Sequence, residues 1–154
     1  QVFFKQRRVG RGKKCFNILK FRTMRGDTPH DVPTHLLKNA DSYITKSGAF
    51  LRRTSLDELP QIWNILKGDM SFVGPRPERA CFYRLFEEYI VGFSNRLAVT
   101  PGLTGYAQVN GGYSLKPEEK IVYDMEYIEK RSIWMDLKCI IKTIYVVLNG
   151  IGAR

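Results

Sequence analysis

The chain has 154 residues, of which 44% are hydrophobic and 12% aromatic, with a formal net charge of +10 and a pI near 9.7. This composition excludes a disordered polyelectrolyte and leaves little room for two domains, so residues 1–154 read as one folded unit. The excess of positive charge predicts an anionic partner: nucleic acid, a lipid surface or a phosphorylated substrate.

VFFKQRRV, GRGKK and CFNILKFRTM read in order as two strands around a glycine-rich turn. This segment, 1–25, holds nine lysines and arginines, and the first acid of the chain is Asp27. Phe3, Phe4, Phe16, Ile18 and Phe21 interleave with those cations, which suits a membrane interface or a polyphosphate better than plain solvent. The polar, proline-containing stretch 27–41 predicts a loop. His30 and His35 within it are poorly spaced for a metal, because Pro33 interrupts any helix that would align them. YITKSGAFLRR is short, mixed and interrupted by Gly48.

In TSLDELPQIWNILKG, residues Leu56, Leu59, Ile62, Trp63 and Leu66 recur at helical spacing, and the helix should end before Gly68. GDMSFVGPRPE is extended by its prolines, and Phe82 to Phe93 resumes a helical pattern. PGLTGYAQVNGG predicts a Pro-Gly turn, a brief alternating YAQV and an Asn-Gly-Gly turn. Pro117, Glu118 and Glu119 open another helix, with proline at a tolerated position and acids at the positive end of the dipole. The last helix, 132–150, is amphipathic and suits a core or a lipid interface equally. Cys15, Cys81 and Cys139 lie far apart, form no C-x-x-C pair and read as free thiols of a reducing compartment. No apolar run is long enough to span a bilayer. The start on Gln1, already inside a strand pattern, leads us to expect a piece of a longer protein.

The adjacent acids Asp57 and Glu58 admit two readings. Ser55-Leu56-Asp57-Glu58 fits an S-x-x-E capping box, in which both acids merely stabilise a helix start. Three features favour chemistry instead. Pro60 removes a backbone donor and bends the same turn, Arg52 and Arg53 lie just upstream, and Gly74-Pro75-Arg76-Pro77 fixes the backbone around one guanidinium. A rigidly aimed planar fork suits a phosphate clamp. Two carboxylates among arginines fit phosphoryl transfer, either as ligands of Mg²⁺ or with one attacking phosphorus. Glycoside hydrolysis fits poorly, because neighbours in one helical turn diverge and cannot flank a sugar.

These blocks resemble the bacterial sugar transferases, the monotopic polyprenyl-phosphate phosphoglycosyl transferases. The likeness rests on FFKQRRVG, KFRTM, ITKSGAFLRRTSLDELPQIWNILKGDMSFVGPRPE, TPGLTGYAQVNGG and YDMEYIEKRSIWMDLK, in that order. It implies an α+β catalytic domain, mainly helices packed around short β-hairpins, at the cytoplasmic face of the inner membrane. Within that domain, 54–79 would form the catalytic helix and the PRP turn. It also implies transfer of a sugar phosphate from a UDP-sugar to undecaprenyl phosphate through a phosphosugar-aspartate intermediate. Asp57 would be the nucleophile, Glu58 its metal or proton partner, and both acids would hold Mg²⁺. Arg76, Arg52 and Lys20 would bind substrate phosphates. The family's N-terminal hydrophobic helix has no counterpart among these residues, so acceptor transfer is expected to be weak. The basic hairpin and the Trp134 helix would meet anionic lipid. On this reading nucleic acid is not a partner. A nucleic-acid-binding module would instead bind with a steep salt dependence indifferent to Asp57. A catalytically idle scaffold would bind anionic vesicles and never release UMP.

Overall fold

The structure, a computed structural model, describes residues 1–29, 37, 39–112 and 115–149. His30 and His35 lie outside the described residues, as does the end of the predicted last helix at residue 150.

The hairpin forms as expected. Strand β1 (Phe3–Val9) pairs antiparallel with β2 (Cys15–Phe21), in register from Phe3 opposite Phe21 to Val9 opposite Cys15. Gly12 and Lys13 carry the chain round with φ of 62° and 64°. Helix α1 (Lys46–Arg53) begins at Thr45, whose Oγ1 accepts from the Gly48 amide at 2.9 Å. Gly48 does not interrupt this helix. A Cβ there would lie 2.1 Å from the Thr23 carbonyl oxygen, so glycine lets α1 press against the end of the hairpin.

The segment around the acid pair departs from a single helix. Leu56–Gln61 is a 3₁₀ turn, and only Ile62–Leu66 (α2) is α-helical before Gly68 turns the chain with φ of 80°. Pro60 accounts for the tighter first part, since it supplies no amide to an α-helical ladder. The periodic apolar residues do not face the core. Leu59, Ile62, Trp63 and Leu66 are all exposed, the last to 73%.

Strand β3 (Ser71–Val73) leads through the proline-rich turn into α3 (Ala80–Tyr89) and a 3₁₀ segment, Phe93–Ala98. The chain returns as β4 (Gly102–Thr104), parallel to β3, with Ser71 opposite Gly102 and Val73 opposite Thr104. The two strands approach so closely that a Cβ on Gly102 would stand 2.1 Å from the Gly74 nitrogen. YAQV is not a strand. It lies in helix α4 (Tyr106–Gly111), with Tyr106 and Val109, one helical turn apart, packed against the buried Val73, Tyr127 and Cys139. Four residues are too few to separate the two periods, and contact with that core decides. Gly112, at φ of 62°, ends the helix.

Helices α5 (Pro117–Lys130) and α6 (Ile133–Leu148) complete the described elements. One core joins Val9, Tyr83, Ile90, Phe93 and Ile121, and a second joins Val73, Tyr127 and Cys139. The architecture is α+β, with helices around two short strand pairs among the described residues. The second pair is parallel and has the α3 crossover between its strands, so of these two the first is the hairpin. Among the described residues, no helix is long and apolar enough to cross a membrane. Helix α6 leaves Ile133, Trp134, Ile141, Ile144, Tyr145 and Leu148 exposed and buries Cys139.

Candidate active site

Strand β2, the 3₁₀ turn and the proline-rich turn bring Lys20, Glu58 and Arg76 together. Glu58 Oε1 accepts from Lys20 Nζ at 2.6 Å and from Arg76 Nη2, while Oε2 accepts from Arg76 Nη1 at 3.2 Å. The arginine thus grips the carboxylate with both arms, the strongest geometry open to such a pair. Burial works to raise the Glu58 carboxyl, but Arg76 and Lys20, by charge and by hydrogen bonds, outweigh it and hold it well below the usual carboxylate range. Burial pushes the Lys20 ammonium down, against the pull of Glu58.

The capping-box reading of this turn fails. Ser55 has a φ of 56° and its side chain caps no amide, and the Glu58 carboxylate goes to Lys20 and Arg76. Two cations offer that carboxylate more than one exposed amide would.

Asp57 differs from its neighbour. It is half-buried, and its carboxylate makes no hydrogen bond or ion pair among the described residues. Burial, reinforced by the negative Glu58, raises its carboxyl above the ordinary value, and Lys20, Arg52 and Arg76 draw it partly back. Arg52 sits beside it on α1, its Nε donating to Thr23 Oγ1 at 2.8 Å. All five residues singled out from the sequence therefore lie in one cationic cluster, linked by direct contact or by charge, around one unpartnered carboxylate and one saturated one.

Other residues around this cluster escape sequence reading. Asn64 on α2 accepts from the Leu19 amide at 3.0 Å and donates to the Asn17 carbonyl at 2.8 Å, tying the segment of the acid pair to β2 beside Lys20. Its signal was a polar residue inside the apolar run IWNIL. Gln61, next after Glu58 along the same 3₁₀ face, is fully buried. Arg8 Nη1 donates to the Pro77 carbonyl at 3.1 Å, and burial, with Arg76 nearby, pushes its guanidinium down to about 10. Arg96, almost wholly buried, donates to the Arg76 carbonyl at 2.9 Å and pairs with buried Asp124 on α5 at 2.7 Å. Burial pushes the Asp124 carboxyl up to about 6 despite Arg96, which leaves it ionised at neutral pH.

Among the described residues, no three His, Cys, Asp or Glu side chains form a metal-binding group. What the described cluster offers a cation is a pair of adjacent carboxylates, one of them unpartnered. That set fits Mg²⁺, which accepts one or two carboxylates and fills its remaining positions with water and phosphate oxygens. Glu58 would have to exchange one of its present partners to serve as a ligand.

The sequence profile of the bacterial sugar transferases matches residues 1–150. The chain belongs to the bacterial sugar transferase family. One relative is a UDP-glucose:undecaprenyl-phosphate glucose-1-phosphate transferase of Xanthomonas campestris pv. campestris, 45% identical over 96% of this chain and 32% of its own length. Another is a UDP-N-acetylgalactosamine-undecaprenyl-phosphate N-acetylgalactosaminephosphotransferase of Aeromonas hydrophila, 41% identical over 99% of this chain and 37% of its own. An uncharacterized sugar transferase, EpsL, of Bacillus subtilis is 42% identical over 99% of this chain and 73% of its own length. This family member thus spans about a third of the first two relatives.

Proposed function

We propose that this chain transfers a sugar 1-phosphate from a UDP-sugar to undecaprenyl phosphate, the initiating step of bacterial surface glycan assembly. The names of the relatives support the two substrates. The observation that carries the chemistry is the contrast within one dipeptide, an unpartnered Asp57 carboxylate beside a Glu58 carboxylate held by two cations.

In this mechanism an Asp57 oxygen attacks the β-phosphorus of the UDP-sugar. The bond from that phosphorus to the bridging oxygen breaks, and the electron pair leaves with UMP. An oxygen of undecaprenyl phosphate then attacks the same phosphorus, and the acyl phosphate bond breaks to regenerate the Asp57 carboxylate. Asp57 is suited to the nucleophile's part because no neighbour occupies its oxygens. Lys20, Arg52 and Arg76 supply positive charge where the diphosphate would lie, and that charge is already in position before the reaction begins. Asp57 and Glu58 are the residues that would hold Mg²⁺, whose contribution when bound is to neutralise the diphosphate.

The same reading seats the domain on the cytoplasmic face of the inner membrane. Exposed Trp63, Leu66 and the outer face of α6 supply apolar contact. Lys67 stands 5.7 Å from the Trp63 ring centre and Arg53 5.9 Å from that of Phe50, so cations flank the apolar residues as anionic headgroups require.

Asp57→Asn tests the reaction. We expect UMP release from a UDP-sugar to fall by at least about a thousandfold, with the fold intact because Asp57 has no partner to lose. Turnover unchanged in the variant would remove Asp57 from the mechanism.

A further inference from the structure

The proline-rich turn has an anchoring problem. Pro75 and Pro77 carry no amide hydrogen, so the backbone on either side of Arg76 cannot be fixed by donating into a sheet. Its carbonyls are held instead. Pro75 O accepts from the Gly102 amide at 3.0 Å, and Glu78 O accepts from the Val9 amide at 3.0 Å. Pro77 O accepts from Arg8, and Arg76 O from Arg96. Two of the four donors are therefore guanidinium groups from distant parts of the chain, Arg8 half-buried and Arg96 buried.

Arg96 is the more deeply set. Its side chain is 4% exposed, its guanidinium carbon lies 4.9 Å from the Phe93 ring centre, and its Nη2 also reaches Asp124, 2% exposed, at 2.7 Å. Glu78 Oε1 is 3.9 Å from Nη1. A buried ion pair of this kind is a poor way to stabilise a fold, since apolar residues of the same volume often do as well or better. Its useful property is geometric. One planar fork links α5, through Asp124, to the carbonyl of the residue whose side chain grips Glu58.

We infer that Arg96 and Asp124 are positioning residues for the reaction proposed above, fixing the Arg76 backbone so that its guanidinium is aimed at Glu58 and the substrate phosphates. Neither touches the reacting atoms. Both act through Arg76, and Arg8 supports the next carbonyl in the same way.

The inference rests on the proposed phosphoryl transfer, and UMP release by the wild-type protein is the control for that reading. The double variant Arg96→Met with Asp124→Asn removes both charges and nearly keeps the volume. It is expected to fold with a Tm close to wild type while kcat for UMP release falls between about tenfold and a hundredfold, the cost of a misaimed clamp. Hydrogen exchange across 73–79 should speed up in the same variant. A folded double variant with wild-type kcat and unchanged exchange overturns the inference. Should the double variant not fold, Arg96→Lys replaces it. Arg96 Nη2 meets both Arg76 O and Asp124, and the shorter lysine ammonium that stays paired with Asp124 cannot hold Arg76 O from the same place, so kcat should fall with Asp124 still paired, and wild-type kcat again overturns the inference. If the wild type itself releases no UMP, the proposed reaction fails, and the exchange measurement alone decides whether Arg96 and Asp124 hold the turn.

Discussion

Two ion clusters share residue 76, one through its side chain and the other through its carbonyl, and they differ in almost every other respect. Lys20, Glu58 and Arg76 form a cluster that solvent partly reaches, with the Glu58 side chain 15% exposed and an unpartnered carboxylate next to it. Arg96 and Asp124 are sealed between α5 and the 3₁₀ segment 93–98. An accessible cluster can exchange partners when a phosphate arrives, whereas a sealed one cannot. On the proposed function, the difference separates the groups that would meet substrate from those that would hold them still.

Substitutions can break or sharpen this contrast. The largest effect on the fold should come from Asp124→Ala, which strands a buried guanidinium and is expected to cost about 3–5 kcal/mol, read by denaturant unfolding. Arg76→Lys should leave the fold nearly intact and lower kcat/KM for the UDP-sugar by roughly tenfold to a hundredfold, because an ammonium cannot reproduce the two-armed grip on Glu58. Lys20→Met removes one of two partners of Glu58, and we expect about a tenfold loss of UMP release with a destabilisation of about 1–2 kcal/mol. The smallest effect belongs to the exposed Lys13–Glu87 pair, 2.6 Å apart outside both clusters. Lys13→Ala should change neither Tm nor turnover measurably.

Much of this layout could be read from the residues. The hairpin follows from β-forming runs around GRGKK, and α5 and α6 from long periodicity with start signals at Pro117 and Ser132. The five residues singled out lie in one cluster because β2, α1, the 3₁₀ turn and the proline-rich turn pack together. What stayed hidden depended on tertiary contact. YAQV is helical because of what Tyr106 and Val109 touch, and Glu58 abandons a cap because β2 delivers Lys20 to it. The outward row of Leu59, Trp63 and Leu66 has the spacing of a core helix, since periodicity reports a face without saying what covers it. Arg96 and Asp124 lie 28 positions apart with nothing local to link them.

The central claim is that Asp57 carries the phosphosugar between donor and acceptor. Intact-mass measurement after incubation with a UDP-sugar and Mg²⁺, without acceptor, tests it most directly. The account predicts a protein heavier by one sugar phosphate, with the adduct lost in Asp57→Asn. Release of UMP on addition of undecaprenyl phosphate, with no adduct ever formed on the protein, would contradict it.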